Sequence, residues 1–404
     1  MQKLLKISKK SSYCKVTTKL MIIYAIQSIC GGIAFYISLF LKSHTGLDAL
    51  NIGIMISATS IGNIVGSILG GYISDKFNPY YALKFGLAVQ GMALLGLVFA
   101  TKFYAIFFIM TAMGAGSYLY ITSSNYVLNS KFNSNQQNRT KIISNQNIIS
   151  NIGMFFAAIL MGYCAAGYYS YIFISVALLM LLIAATLKPF EKSFYYIDTS
   201  SHQSNSTKQL NTSYYMVGLL AIGLIGIMYS QHRIGYPVFL SENFGNINTG
   251  YLMSLNPLII LIFQSYIIKK SAKLDEVLML GIGLLLFGLS FFILNYPINI
   301  SMIFLSCIIM TLGEILAITY AQSLTFGYAP VNMRGRILGL YKSIYSFTKI
   351  VGAYTAGALI NYTSYTTLWS FCGAIGVVAF FITAMVLFNT KLSPSKKLIG
   401  REQS

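Results

Sequence analysis

The sequence predicts an all-α membrane protein in which twelve transmembrane helices form two pseudo-symmetric six-helix bundles. Three observations predict it: very few charges, a succession of apolar segments of membrane-spanning length, and basic residues confined to alternate loops. Of the 404 residues, 56% are hydrophobic and 9% charged. Soluble domains carry roughly 25% charged residues, so this chain cannot coat a soluble surface of its own size. The net charge of +19 would suggest nucleic acid in a soluble protein. Here the basic residues lie in short loops between apolar segments, where their role is to set orientation.

A helix needs about 20 mostly apolar residues to cross the hydrocarbon core. Such segments fall near 20–41, 50–73, 81–101, 103–128, 142–165, 168–187, 214–240, 250–268, 277–295, 301–326, 337–361 and 365–388. The first follows a basic tail and is longer than a signal-peptide core, so it reads as an uncleaved span. Lysines and arginines then fix the topology. Twenty-four fall on the side of the N-terminal tail and two, Lys42 and Lys102, on the other, while Arg233 and Lys349 lie within spans. The basic side is cytoplasmic, and an even number of spans brings both termini there, in a multi-pass protein of the cytoplasmic (inner) membrane. The organisation expected is a basic tail at 1–19, a six-helix bundle at 20–187, a cytoplasmic linker at 188–213 rich in Ser, Thr, Asn and Gln, a second bundle at 214–388 and a tail at 389–404.

The halves carry traces of a repeat. Arg139 precedes the fifth span and Arg334 the eleventh; eighteen residues later come Ala157-Ala158 and Gly352-Ala353. Small residues in mid-helix permit close helix approach. The five cysteines (Cys14, Cys30, Cys164, Cys307, Cys372) have neither zinc nor redox spacing, and the three histidines form no cluster. No P-loop, dinucleotide fingerprint or nucleophile–base set is present. The expectation is therefore a protein that is not an enzyme, with no cofactor, no metal and no nucleic-acid partner.

Between spans two and three runs Gly66-Ser-Ile-Leu-Gly-Gly71-Tyr-Ile-Ser-Asp75-Lys76-Phe-Asn78-Pro-Tyr-Tyr. It resembles the signature of the major facilitator superfamily, G-x-L-x-D-R-x-G-R-R. Gly71 and Asp75 match, Lys76 keeps the charge of the usual Arg, and Asn78 replaces the second Gly. On this resemblance Gly71, Asp75 and Lys76 form a gating loop: Gly71 would let span two pack closely on span eleven, and Asp75 would latch onto basic groups or a helix N-terminus. A plain polar turn is the alternative. The second half contributes Gly313-Glu314, then Pro330-Val-Asn-Met-Arg334-Gly335-Arg336-Ile-Leu-Gly339, with Tyr236-Pro237, Asn248-Thr-Gly250 and Asn256. These are similar to the drug:proton antiporter-type group and make Arg334, Gly335 and Arg336 a second loop of interest. There are departures. Met110 stands where those antiporters often have an Arg in span four, Ala157-Ala158 replaces a Gly-Pro pair, and Lys269-Lys270-Ser-Ala-Lys273 replaces the second copy of the loop.

Charges at bilayer depth are costly and mark functional candidates. Glu314 and Lys349 each lie about twelve residues into oppositely running spans, roughly 18 Å deep at 1.5 Å per residue. Pairing would lower the desolvation cost of both, either as a proton- or substrate-linked switch or as a static tie. Arg233, beside His232 near the outer end of span seven, either snorkels to the interface or contacts substrate or Glu242. In the superfamily's architecture spans one, four, seven and ten line the cavity. The resemblance thus adds Gln27, Asn125 and Gln231 to Arg233 and Asn256 as cavity candidates, although interhelical hydrogen bonding also explains uncharged polar residues at depth.

The function expected is secondary active transport of a small molecule by alternating access. The subgroup resemblance implies proton-coupled efflux by an antiporter acting as a monomer amid membrane lipid. Uptake of a nutrient or metabolite, such as a sugar, organic acid or siderophore-like molecule, stands as the alternative, and a non-transporting receptor of the same fold as a third reading.

Overall fold

The computed structural model describes residues 20–130, 136–164, 168–189, 212–296, 299–328 and 334–392. The basic tails and most of the linker lie outside the described residues, as do the side chains of Asp75, Arg139, Arg334 and Arg336. Apart from one short 3-10 turn at Ile293–Asn295, the regular structure among the described residues is α-helical. The helices are α1 (Leu20–Ile33), α2 (Ile37–Thr45), α3 (Ala49–Lys76), α4 (Pro79–Phe99), α5 (Phe103–Ser130), α6 (Gln136–Cys164), α7 (Tyr169–Thr186), α8 (Thr212–Arg233), α9 (Gly235–Ser271), α10 (Glu276–Phe292), α11 (Ile300–Gly327), α12 (Arg334–Tyr362) and α13 (Tyr365–Leu392).

Local chemistry accounts for the breaks. Asp48 caps α3 by accepting from Asn51 N, and Asn78 caps α4 by accepting from Tyr80 N, with Pro79 in the first turn. Asp275 and Asn299 do the same for α10 and α11. The first predicted span is a bent pair: α1 and α2 meet at 51°, where Phe35 N bonds Gly32 O and Tyr36 N bonds Ile33 O in a tightened turn just past Gly31-Gly32. In α9 the break is at Gly245, whose φ of +76° only glycine adopts readily. It separates the predicted seventh span from the eighth.

Eight helical stretches among the described residues are long and apolar enough to span a bilayer, and the bent α1–α2 pair makes a ninth. One of the eight, Ser213–Ser271, holds both α8 and α9 and so two predicted spans. Helices α6 and α12 complete the twelve, their N-terminal turns being rich in polar residues. Large apolar side chains such as Phe99, Phe108, Phe381 and Phe388 face outward, as a lipid-facing surface requires.

By proximity the chain forms two compact units. The first holds residues 1–204, 230–261 and 349–362; the second holds 205–229, 262–348 and 363–404. The units thus cut α8, α9 and α12 partway along, whereas the linker divides the sequence into its halves. Residues 230–261 and 349–362 join the first unit because they pack on α2 and α3. Ser38 Oγ donates to Arg233 O at 3.2 Å and Ser57 Oγ to Ile350 O at 3.1 Å. A Cβ on Gly53 would lie 2.6 Å from Ala353 O, and one on Gly357 would lie 2.5 Å from Ala49 O. Small residues four apart on both helices therefore bring the α3 and α12 backbones together.

The units share a packing pattern that exposes the repeat. In the first, a Cβ on Gly116 (α5) would sit 2.7 Å from Gly86 O, and one on Gly91 (α4) 3.1 Å from Ala177 O of α7. In the second, a Cβ on Gly313 (α11) would sit 2.8 Å from Gly283 O, and one on Gly288 (α10) 2.8 Å from Cys372 O of α13. Gly86, Gly91 and Gly116 each recur 197 residues later, as does the cap Asn78, replaced by Asp275. The same offset carries Ser117 onto Glu314.

Candidate functional site: a polar cavity in the first unit

Inside the first unit lies a cavity of about 190 Å³. Its lining is polar for a membrane interior: Gln27, Ser28, Thr59, Asn63, Gln90, Ser117 and Ser150, with Tyr24 and Tyr118, and the cations Arg233 and Lys349. A smaller space of about 20 Å³ shares Thr59, Asn63, Arg233 and Lys349 with it and adds Met110 and Ser230.

The cations are held in place through their backbone. Ser230 Oγ donates to Lys349 O at 3.0 Å, and Gln231 Nε2 donates to Gly352 O at 3.0 Å. These bonds tie the end of α8 to the C-terminal half of α12. The Arg233 guanidinium stands 4.8 Å from the Phe35 ring centroid, a cation–π arrangement at the α1–α2 bend. Lys349 is buried and Arg233 half-buried. Around them Gln27 Nε2 donates to Ser117 Oγ at 3.0 Å and Gln90 Nε2 to Cys30 Sγ at 3.2 Å. Asn63, with its amide turned to donate, reaches Gly114 O at 3.2 Å and Thr59 O at 3.3 Å.

The residues singled out from sequence fall in different places. Gln27, Arg233 and Lys349 line this cavity. Gln231 is fully buried and bonded to the α12 backbone. Asn125 accepts from Gln146 Nε2 at 2.9 Å. Asn256 lines a separate space of about 10 Å³ with His232, Phe35 and Tyr36. Glu314 is buried in the second unit. In the loop after α3, Lys76 is exposed, with its ammonium 4.7 Å from the Tyr72 ring centroid. Among the described residues, a Cβ on Gly71 would meet nothing within 4 Å; the close approach of α3 to described parts of α12 is at Gly53. Glu242, suggested as a partner of Arg233, instead pairs with Lys42 on the exposed surface.

Sequence reasoning missed Asn63, Gln90 and Ser117. Gln90 was the findable one, an amide in the otherwise apolar run Gly86-Leu-Ala-Val-Gln90-Gly-Met. The second unit has a larger space of about 570 Å³ lined by α8, α12 and α13, with Leu220, Leu340, Ile344 and Ile382 among its walls. Leu220 and Leu340 are also exposed apolar surface, so this space is an apolar groove that opens on the protein's surface.

The chain is similar to known proteins over most of its length. It is 22% identical over 338 residues to an uncharacterized MFS-type transporter, YttB, of Bacillus subtilis (strain 168), covering 80% of this chain and 83% of that protein. A second, YqjV, from the same organism, is 21% identical over 336 residues, with 81% of each chain covered. Among solved structures, the nucleoside transporter NupG superposes with a TM-score of 0.76 at 15% identity, covering 92% of this chain and 99% of that one. A peptide transporter POT in complex with sulfate superposes with a TM-score of 0.75 at 15% identity, covering 93% and 94%. The sequence profile of the Major Facilitator Superfamily matches residues 20–341 and again, overlapping, 218–403, and the chain belongs to that superfamily.

Proposed function

We propose that the chain is a secondary transporter that moves a small molecule across the cytoplasmic membrane by alternating access, with both termini in the cytoplasm. The observation that carries this reading is the polar cavity among apolar spanning helices. Buried polar groups at membrane depth are expensive, and a transporter offsets that cost by exchanging water for cargo there. The cavity suits a compact cargo, being smaller than the roughly 300–1,000 Å³ of drug-sized sites.

Proton-coupled efflux by a monomer is the direction and coupling we favour, on the drug:proton antiporter-like pattern around Gly313-Glu314 and Arg334-Gly335-Arg336. Gly71, Asp75 and Lys76 then act as the gating loop, and Arg334, Gly335 and Arg336 form the second-half loop. Glu314 is the proton-linked group in this reading, with Lys349 as its partner. It occupies the repeat position of Ser117, a cavity-lining residue of the first unit. Gln231 and Asn125 act as helix ties, while Asn256 stays a candidate contact in its own small space beside His232. The polar lining also favours a polar metabolite, which keeps uptake as the second reading.

The test is flux in proteoliposomes under an imposed pH gradient, with wild type beside Glu314→Gln. Wild-type flux should follow the gradient and the variant's should not. An unchanged pH dependence would remove Glu314 from coupling. Absence of flux for every solute tried would favour the receptor reading.

A further inference from the structure

We infer that the cavity of the first unit selects a compact solute that donates hydrogen bonds, a hydroxyl-bearing molecule, and that Gln90 is the residue that reads the donor. The inference rests on the transport reading, since it takes the selected molecule to be the cargo. Gln90 is 3% exposed and lines the cavity. Its Nε2 donates to Cys30 Sγ at 3.2 Å, and among the described residues its Oε1 has no hydrogen-bond partner. A buried carbonyl left without a donor is costly, and a thiol sulfur is only a weak acceptor. As a tie between α4 and α1 alone, the amide would be a poor choice. As part of a cavity wall it offers an acceptor to whatever enters. Water supplies the donor when it fills such a cavity, and a solute that displaces the water must reproduce that hydrogen bond.

The surroundings agree. Thr59 Oγ1, on α3, is likewise buried without a partner among the described residues, and Thr59 lines the same cavity. Gln27 uses an N–H on Ser117 Oγ, and Asn63, turned to donate, uses its own on Gly114 O and Thr59 O. A solute with acceptors only can accept from the Thr59 hydroxyl, yet it leaves Gln90 Oε1 bare. A hydroxyl both donates and accepts, so a molecule carrying several can satisfy both residues. The Gln90 side chain also starts from a fixed backbone. A Cβ on Gly116 (α5) would lie 2.7 Å from Gln90 N, and one on the adjacent Gly91 would lie 3.1 Å from Ala177 O of α7. Close backbone approach on two sides holds the rotation of α4, and with it the place of the acceptor. The superfamily's architecture lines its cavity with spans one, four, seven and ten, whereas α4 is the third span. The Gln90 contact is therefore a property of this chain's own sequence.

The test uses the full chain purified in detergent. Isothermal titration is run with erythritol, xylitol and myo-inositol, each beside its fully O-methylated ether, which keeps the skeleton and its acceptors and loses every donor. Calorimetry reads saturable binding, and so avoids the general stabilisation that polyols give by exclusion from protein surfaces. At least one polyol should bind saturably, and its ether should bind at least about tenfold more weakly. Gln90→Met removes the oxygen with little change of volume and should bring that ratio towards one. Gln90→Glu keeps an acceptor oxygen and should preserve the ratio. A purely structural Gln90 would instead weaken polyol and ether alike and leave the ratio as it was. The melting temperature of each unliganded variant checks that it folds. Equal binding of polyol and ether by the wild type overturns the inference, as does an unchanged ratio in Gln90→Met or the absence of saturable binding by any of the polyols. Flux in proteoliposomes separates this inference from the transport reading. Transport of solutes without donors that the polyols do not inhibit sinks the selection and leaves the transporter. Selective polyol binding without flux of the bound polyol leaves the selection and sinks its use for cargo.

Discussion

Replacing Gly53 with alanine tests whether the α3–α12 approach is as close as it stands, and Gly71→Ala on the same helix is its control. A Cβ at Gly53 would lie 2.6 Å from Ala353 O and 3.3 Å from Gly357 Cα. Real Cβ atoms essentially never come within 3.0 Å of a heavy atom, so the backbones must separate by about 0.4 Å, against a reciprocal contact of Gly357 on Ala49. Overpacking of this kind costs about 1–3 kcal/mol. Alanine also gains about 0.8–1 kcal/mol over glycine in a helix interior. At Gly71 the second effect acts without the first, since a Cβ there meets nothing within 4 Å among the described residues. The difference between the two variants is therefore the overpacking cost, about 1–3 kcal/mol, with Gly53→Ala the less stable. Equilibrium unfolding of both in the same detergent measures it. Stabilities within about 0.5 kcal/mol of each other would refute the geometry. A Gly71→Ala variant that is the worse of the two would return the close helix contact to the loop end of α3, where the sequence signature put it.

Other consequences can be measured the same way. Gln231→Leu removes the donor to Gly352 O and should cost about 1 kcal/mol in unfolding free energy. Lys42→Ala and Glu242→Ala break an ion pair whose side chains are 49% and 42% exposed. A double-mutant cycle should find a coupling below about 1 kcal/mol that falls as salt is added. Asn78→Ala and Asp275→Ala remove caps at repeat-related helix starts, and each should lose about 0.5–2 kcal/mol. A large loss at one site with none at the other would argue against equivalent helix starts.

Sequence periodicity and charge made the fold readable because lipid imposes a simple rule: each crossing is an apolar helix with its polar groups satisfied internally. The rule blurs where helices are bent or merged. The α1–α2 bend lies where Gly32 packs on α6, with a Cβ there falling 2.5 Å from Ala157 Cβ, and no run of apolar residues announces it. The seventh span holds a similar break that composition does not announce: α8 stops at Arg233, while the apolar run continues into α9 as far as Leu240. The site was legible only in its charges. Arg233 and Lys349 stand out in any hydropathy trace, but an amide at depth looks the same whether it lines a cavity, as Gln27 does, or ties two helices, as Gln231 does. Which of these it does depends on helix rotation within the bundle, and that is set by small residues such as Gly53, Gly86 and Gly116 meeting partners distant in sequence.

Met110 gives the departure from the antiporter pattern a physical meaning. It stands where the drug:proton antiporter-type group often has an Arg in span four, and it is buried in the space it shares with Arg233 and Lys349. An arginine at 110 would bring a third cation into a lining that has no acidic side chain, and like charges so confined repel strongly. The thioether instead fills apolar volume without adding charge. The positive charge of the cavity is thus supplied from α8 and α12, on two helices locked together by Ser230 and Gln231. A cation carried by α5 would belong to a helix packed within the α3–α4–α5 group, through contacts such as Gly116 on Gly86. Cations carried by α8 and α12 move with whatever moves those helices.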